Sequence, residues 1–521
     1  MKYPIGIQTF EQIIENGFVY VDKTDMVYSL ATEGKVYFLS RPRRFGKSLL
    51  LSTLRAYFEG RKELFKGLKI DAMEKEWHQH KIFHIDFNGE NFTLPGTLEN
   101  CLATYITNWE KEYGIQALDN ESLGSRFENI LKIASEKSGR GVVVLIDEYD
   151  KPLLDVLEKD PEILDKNRET LKAFYSVFKR SDAYLRFVFL TGVTKFSQIS
   201  VFSGFNQPLD ISMSEKYEAL CGITEEELLS YFDEPIRQMA EVEGCTETEI
   251  QQMLKQRYDG YHFGKTMTDI YNPFSLLNAF FNNDIRDYWF ASGTPTYLIR
   301  LMNHFNEGID QLTGKYYSLD EFVNYKADTE YPLPMIYQSG YLTIKDYERE
   351  MGLFLLDFPN NEVKSGFLTM VATNYLQCEA TLDSWIKQAV FALKKGQLET
   401  FRKMLTAFLA SIPYTMRRKE GEREKERYFQ YTFYLLLRLM SVYTVYIEKE
   451  QSEGRVDCIV ETPQHVYIFE FKLDGSAEEA LQQIEDKGYA RAYGSDTRTI
   501  HKIGVSFSSQ TGTIDDWQEA E

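Results

Sequence analysis

With 521 residues and roughly 150 per domain, the chain has room for about three or four domains. Hydrophobic residues are 43% and charged residues 26%, a globular balance with ample core, and a net charge of −20 excludes a surface coated in nucleic acid while allowing a local basic groove. Cys101, Cys221, Cys245, Cys378 and Cys458 are scattered with no CxxC pair, which excludes a disulfide framework and a zinc knuckle and fits a reducing cytoplasm.

The N-terminal stretch has no long apolar run, and no segment approaches about 18 consecutive apolar residues, so neither a signal peptide nor a membrane span is expected. Tyr (34) and Phe (36) are abundant enough to read as core, with a few free to stack on bases. Residues 1–35 read as an entry region. Val36-Tyr-Phe-Leu-Ser40 is a short apolar strand running into Arg41-Pro-Arg-Arg-Phe-Gly-Lys-Ser48, with an apolar-rich helix over 49–58. Further strands are expected at 82–87, 142–146 and 187–190, with helical patterns between them, as at 162–178. The fully apolar run 142–146 predicts burial on both faces. Strands alternating with helices predict a parallel α/β sheet.

From residue 222 the pattern turns helical. Thr224 with Glu227 has the form of a capping box, and 225–310 carry little strand signal. Residues 340–344 and 352–356 predict a small hairpin, compatible after a helix set with a winged-helix-like module. Residues 366–415 return to helix. The mixed-charge run 417–427 reads as a solvated linker or helix start, with contact to a DNA backbone as the minor alternative. An apolar helix over 428–440, strands over 455–461 and 465–473 and a helix over 477–492 then give an αββα order. The expected division is 1–221, 222–365, 366–425 and 426–521.

A phosphate loop needs inward backbone N–H groups, a helix N-terminus behind them, a lysine for the terminal phosphates and a hydroxyl for Mg²⁺. Gly46, Lys47 and Ser48 supply the end of that pattern. Its first glycine would fall at position 41, where this chain has Arg41 followed by the stiff Pro42. The strand 142–146 runs into Asp147 and Glu148: Asp147 is expected in the Mg²⁺ shell, and Glu148 is expected to orient and deprotonate water. Two carboxylates capping a loop is the rival reading. Thr191 is the candidate sensor of the terminal phosphate; its plainer reading is a buried threonine satisfying a backbone group. Arg180, Arg186 and Lys195 are candidates for an arginine-finger-type charge, or plain surface residues.

The second constellation is Gly454-Arg-Val-Asp457 with Glu470-Phe-Lys472. Phosphodiester hydrolysis needs carboxylates to fix Mg²⁺ and a lysine near the attacking water. Glu470 and Lys472, at i and i+2, share a strand face with Ile468, while Phe469 and Phe471 point the other way. A turn over 461–465 brings Asp457 close to Glu470, and the Phe471 carbonyl can add a metal ligand. An edge-strand salt bridge is the alternative. Glu426 can add a carboxylate, and Gln483 and Lys487, at i and i+4, can face a substrate phosphate; each is equally readable as a surface residue.

Pro42-Arg-Arg-Phe-Gly-Lys-Ser48, Asp147-Glu-Tyr-Asp-Lys-Pro152, Thr191-Gly-Val-Thr-Lys-Phe-Ser197, Tyr258-Asp-Gly-Tyr261, Tyr271-Asn-Pro-Phe274, Ser411-Ile-Pro-Tyr414, Gly454-Arg-Val-Asp457 and Glu470-Phe-Lys472 together resemble a bacterial family. Its members pair an AAA-like ATPase domain with a C-terminal PD-(D/E)XK nuclease-superfamily domain, and the resemblance covers nearly the whole chain. It implies an ATPase core like that of archaeal-type and signalling P-loop ATPases, then helical and winged-helix-like segments. In many of those relatives the loop reads Gly-Pro-Arg-Arg-x-Gly-Lys, so Arg41 stands where they have the first glycine. The family's nuclease pattern carries over to Asp457, Glu470 and Lys472, and further to Glu426 and Gln483. The aromatic blocks at 258–261 and 271–274 are expected to pack between the ATPase and helical parts.

The combined expectation is an α/β chain with a P-loop parallel-sheet ATPase domain, a central helical and winged-helix-like region and a C-terminal αββα restriction-endonuclease-like domain. It would bind and hydrolyse ATP and cut nucleic acid, DNA in the first instance, with Mg²⁺. The alternative is a nucleotide-dependent switch or scaffold for a protein partner or a second copy of itself, with an inert nuclease-like domain. A third reading is an ATPase with an inert tail.

Overall fold

The structure, a computed structural model, describes residues 1–116, 121–157, 159–196, 208–292, 312–324, 331–376, 382–411, 432, 435–436, 444–451 and 454–520. The chain divides into two compact units, Met1–Val363 and Lys364–Glu521. No described helix is long and apolar enough to cross a membrane.

The first unit is built on β1 (Val36–Ser40), β2 (Ile82–Asp86), β3 (Val142–Asp147), β4 (Leu185–Gly192) and β5 (Leu209–Asp210), in the order β2-β3-β4-β1-β5. Every pair is parallel, as the alternation of strands and helices predicts. All six residues of β3 are buried, which fits its unbroken apolar run. Parallel pairing brings the C-terminal ends of β1, β3 and β4 to one edge, with Ser40 level with Gly192 and Ile146 level with Leu190. The loops carrying the candidate residues therefore leave from one place, the edge where ligands bind in open parallel sheets.

The stretch read as an entry region is a packed layer. Helices Phe10–Glu15 and Thr24–Glu33 bury Phe10, Ile13, Val27, Leu30 and Ala31, whose 3- and 4-residue spacings put them on one face. The Phe10 ring sits 4.9 Å from Phe65, and its N–H donates to Ser52 Oγ at 2.9 Å.

Downstream, β6 (Ile223–Thr224) pairs with β7 (Ile270–Tyr271) beside helices Glu225–Glu243, Glu247–Tyr258 and Pro273–Asn282. The expected capping box closes at Thr224 and Glu227, and a second at Thr246 and Glu249. Phe232, Ile236, Met239, Leu254, Leu276 and Phe280 form their shared core. The expected hairpin is β9 (Thr343–Glu348) and β10 (Leu353–Asp357), to which β8 (Lys315–Ser318) adds a third antiparallel strand in the order β8-β10-β9. β8 is four residues long with polar ends, too short to show alternation.

In the second unit, helices Leu382–Lys394 and Leu398–Ser411 occupy the expected helical stretch. They precede a sheet of β11 (Thr444–Gln451), β12 (Gly454–Glu461), β13 (His465–Leu473), β14 (Thr499–Phe507) and β15 (Ile514–Ala520), paired in sequence order. β12, β13 and the helix Ala477–Asp486 follow the expected order, and three strands the sequence reading lacked extend the sheet. β13 and β14 are parallel, joined by that helix as crossover. The helix stops short of the expected residue 492 because Gly488, at φ 60, turns the chain into a 3-10 segment, Tyr489–Tyr493. It lies close on the sheet: a Cβ on Gly504 would sit 2.1 Å from the Ala477 carbonyl oxygen. The charge run 417–427 and most of the expected helix over 428–440 lie outside the described residues.

Candidate active sites

The loop after β1 runs into the helix Lys47–Phe58. Gly46 caps that helix at φ 92, a left-handed conformation that glycine adopts without strain. Lys47 is buried, and its Nζ donates to the carbonyls of Arg41 (2.8 Å) and Pro42 (3.0 Å). Burial pulls its ammonium below the ordinary lysine range, against the pull of Glu148 and Asp147. Asp147 is the hub. Its Oδ2 accepts from Ser48 Oγ at 2.6 Å, and its Oδ1 accepts from Thr191 Oγ1 at 2.5 Å and from the Glu148 amide at 3.0 Å. One carboxylate thus joins the first turn of the helix Lys47–Phe58 to the ends of β3 and β4. Ser48 and Asp147 form a hard-oxygen donor pair of the kind Mg²⁺ favours. Thr191 does not take the plainer role of satisfying a backbone group with its hydroxyl; it donates to this carboxylate.

Glu148 is half-buried and held at φ 50, a conformation costly for a non-glycine residue and frequent at functional sites. Burial raises its carboxyl, with the positive charge of Lys47 opposing. A basic carboxylate beside a hydroxyl–carboxylate pair has the chemistry to take a proton from water.

Arg41 does not do what a first glycine does. Among the described non-glycine residues, positive φ occurs at Arg44, Glu148, Met267, Asn283 and Asp474, so position 41 makes no use of glycine's freedom. Its side chain is 1% exposed and turns into the protein. Nη1 donates to the carbonyls of Ser40 (3.0 Å) and Ser212 (2.6 Å), Nη2 to that of Tyr217 (3.2 Å), and the guanidinium lies 4.0 Å above the Phe263 ring.

Tyr149 and Asp150 carry no signal of a site role in the sequence beyond their place in Asp147-Glu-Tyr-Asp-Lys-Pro152. The Tyr149 hydroxyl donates to the Thr194 carbonyl at 2.8 Å and accepts from the Phe196 amide at 3.2 Å. Asp150 Oδ2 accepts from the amides of Val193 (2.9 Å) and Thr194 (2.7 Å) and from Thr194 Oγ1 (2.8 Å). The motif after β3 therefore locks the motif after β4. The arginine-finger candidates are engaged elsewhere. Arg180 pairs with Glu128 at 3.0 Å, and Lys195 with Asp210 at 2.7 Å. Arg186 sits at the start of β4, the far end of the sheet, donating to the Ala31 carbonyl at 2.6 Å.

In the second unit the β12–β13 ladder runs from Glu461 opposite Val466 to Cys458 opposite Phe469. Beyond it the pairing passes to side chains: Asp457 Oδ2 accepts from the Phe471 amide at 2.8 Å, and Glu470 Oε2 from the Asp457 amide at 3.4 Å. In extended backbone the N–H and C=O of one residue point to the same edge, which leaves the Phe471 carbonyl on the Asp457 side. Gln483, on the crossover helix, donates to Glu470 Oε1 and accepts from Lys472 Nζ at 2.6 Å. Asp457, Glu470, Lys472 and Gln483 are one connected cluster.

Glu470 is 2% exposed, and burial together with the Asp457 charge drives it well above the ordinary carboxylate range. β13 lies between β12 and β14, so the edge-strand salt bridge is not the explanation. Ile468, in the row of Glu470, packs with Ile484, while Phe469 and Phe471 stack on the opposite face at 6.3 Å. Lys487 is exposed at the C-cap of the helix and is not part of the cluster. Glu426 lies outside the described residues. Among the described residues no group of three or more His, Cys, Asp or Glu side chains is arranged to hold a metal ion, so the oxygens this cluster offers are two carboxylates, the Phe471 carbonyl and the Gln483 amide. A divalent cation suits that set, because it would relieve the repulsion between the buried Glu470 and the half-buried Asp457.

The family model described as Predicted AAA-ATPase matches residues 4–202, and the PD-(D/E)XK nuclease superfamily model matches 424–517. A protein of Azotobacter chroococcum mcd 1, described as an uncharacterized protein in the vnfD 5′ region, is 38% identical over 521 residues, spanning 98% of each chain. Among solved structures, Cdc6p from Pyrobaculum aerophilum is similar at 11% identity and TM-score 0.25, over 70% of this chain and 92% of that one. The Aeropyrum pernix ORC2 protein in ADPNP–ADP complexes follows at 13% and 0.27, over 67% and 92%. This chain belongs to the family of predicted AAA-ATPases that carry a PD-(D/E)XK nuclease-superfamily domain at the C-terminus.

Proposed function

We propose that this protein binds and hydrolyses ATP at the edge of its parallel sheet, and that its C-terminal domain is a Mg²⁺-dependent nuclease acting on nucleic acid, DNA in the first instance. The ATPase half is carried by the convergence of Ser48, Glu148 and Thr191 on Asp147, with Lys47 beside them. The nuclease half is supported by the cluster of Asp457 on β12, Glu470 and Lys472 on the central strand β13, and Gln483 on the crossover helix.

In the first site, Lys47 exchanges the carbonyls of Arg41 and Pro42 for phosphate oxygens. Ser48 and Asp147 hold the cation, Thr191 keeps Asp147 oriented, and Glu148 takes the proton of the attacking water. In the second, Asp457, Glu470 and the Phe471 carbonyl hold the cation, and Lys472, steadied by Gln483, stabilises the nucleophile. Bound Mg²⁺ supplies charge neutralisation and a more acidic water in both. Both sites on one chain suggest that the nucleotide state gates cleavage. The free cysteines among the described residues fit a reducing cytoplasm.

The test is cleavage of DNA and RNA in Mg²⁺ by the wild type, Asp457→Ala and Lys47→Ala. Equal activity in all three sinks the assignment. The second reading is a nucleotide-dependent switch or scaffold that binds a protein partner, with an inert C-terminal domain, and the net charge of −20 favours it. DNA binding in EDTA, without cleavage in Mg²⁺ or Mn²⁺, favours it.

A further inference from the structure

Three guanidiniums open the phosphate loop, and the structure gives them three fates. Arg41 is buried against carbonyls and the Phe263 ring. Arg44 lies 5.2 Å above the Phe274 ring. Arg43 is exposed. It is nevertheless close to the chemistry: Lys47 Nζ donates at 3.0 Å to the Pro42 carbonyl, which is half of the peptide bond that carries Arg43.

The backbone that carries Arg43 is clamped from the 258–340 segment of the same unit. The Trp289 indole Nε1 donates to the Arg43 carbonyl at 3.0 Å. Trp289 is itself fixed: its amide donates to Glu362 Oε1 at 2.7 Å, and its ring lies 5.1 Å from Tyr341. On one side of Arg43, Pro42 rests against Gly340, where a Cβ would come within 2.6 Å of the proline ring. Beyond Arg44, the Phe45 ring sits edge-on to Tyr261 (4.8 Å) and Phe263 (5.6 Å). Each of residues 41–45 is thus held by a residue of that segment. These contacts give the Tyr258–Tyr261 and Tyr271–Phe274 motifs a role that their sequence does not reveal. They fix a loop that lacks its first glycine, and they leave Arg43 and Arg44 exposed on it, Arg44 over the Phe274 ring.

We propose that Arg43 is a further catalytic residue of the ATPase site, a cation in cis for the terminal phosphate, and that Trp289 is the positioning residue that aims it. This rests on the ATPase reading above. In hydrolysis, water oxygen bonds to the γ-phosphorus as the bond to the β,γ-bridging oxygen breaks. The electron pair stays on the ADP oxygen, and the water proton goes to Glu148 and on to solvent. Arg43 transfers no proton. It offers N–H donors to oxygens on which charge accumulates, the role an arginine finger plays elsewhere in trans. A site equipped this way needs no neighbouring copy to supply the charge.

The experiment uses the full chain. Phosphate release from ATP is measured together with equilibrium binding of ADP and of adenylyl imidodiphosphate. Arg43→Ala is expected to lower kcat about 100-fold and to weaken the triphosphate analogue about 10-fold, with ADP affinity held within about 3-fold. Arg43→Lys recovers part of the loss. Arg180→Ala, whose guanidinium is engaged by Glu128, leaves kcat unchanged. Trp289→Phe lowers kcat about 10-fold at unchanged ADP affinity, and combined with Arg43→Ala it adds little, because the two act as one unit. Arg43→Ala with kcat and analogue binding near wild type overturns the inference, as does an equal loss of ADP and analogue affinity. Should the wild type hydrolyse no ATP, the binding arm decides alone. A wild type that binds neither nucleotide overturns the ATPase reading together with this inference.

Discussion

Arg41→Gly rewrites the loop to the glycine-first pattern of its wider group, and the structure says the change destabilises this chain. The three carbonyls now served by the guanidinium, those of Ser40, Ser212 and Tyr217, would lose a buried donor, at about 1–3 kcal/mol each when nothing replaces it. The cation over Phe263 adds about 2 kcal/mol in a desolvated setting. Glycine's extra freedom in the unfolded chain costs roughly 0.5–1 kcal/mol more. Against these stands the relief of no longer burying a charge, itself several kcal/mol. The balance is a loss of about 3 kcal/mol, within the range for removing one partner from a buried charged network. Because the buried Arg41 side chain anchors the loop that leads into Gly46, Lys47 and Ser48, ATP affinity should fall with stability, by about 10-fold. Urea unfolding of the full chain and titration with ATP measure the two effects. A variant that unfolds at or above the wild-type midpoint and turns over ATP faster would refute the argument, since position 41 would then have needed glycine after all.

Gly340→Ala places a Cβ at φ 88 and 2.6 Å from Pro42, and should cost about 2 kcal/mol while weakening ATP binding; wild-type ATP affinity would show that the proline contact does not shape the loop. Gln483→Ala severs the link between Glu470 and Lys472, so nuclease turnover should drop about 10- to 100-fold with the unfolding midpoint little changed, and undiminished cleavage would remove Gln483 from the site. Asp259, buried within the Tyr258–Tyr261 motif, is pushed up to about 7 by burial, then by Asp269. The unfolded chain gives up that proton near pH ~3.9, so between there and about 7 the folded state binds more protons and stability falls as pH rises. Asp259→Asn lacks that slope: its urea midpoint should gain on the wild type from pH 5 to pH 8, and a constant difference would contradict the assignment.

Much of both candidate sites could be read from the chain because their signals are local. The apolar runs at β1, β3 and β4 end where the chemistry begins. Gly46, Lys47 and Ser48 are contiguous, and Glu470 and Lys472 share a face by the period of a strand. β11, β14 and β15 were less legible. β11 ends in the charged run Glu448-Lys-Glu-Gln451, and a strand's identity rests on the neighbour it pairs with. The lock of Tyr149 and Asp150 on the loop after β4 joins segments more than forty residues apart, beyond the reach of any periodicity.

Arg41, Arg43 and Arg44 make the division plain. By sequence they are three like charges within four positions. Tertiary packing turns the first inward onto carbonyls and an aromatic ring, lays the third on Phe274 and leaves the second exposed beside the Pro42 carbonyl that holds Lys47. Local composition determines which elements form and which chemical groups they carry. The work of each charge depends on the dielectric and the partners around it, and distant parts of the chain provide those only once they have folded together.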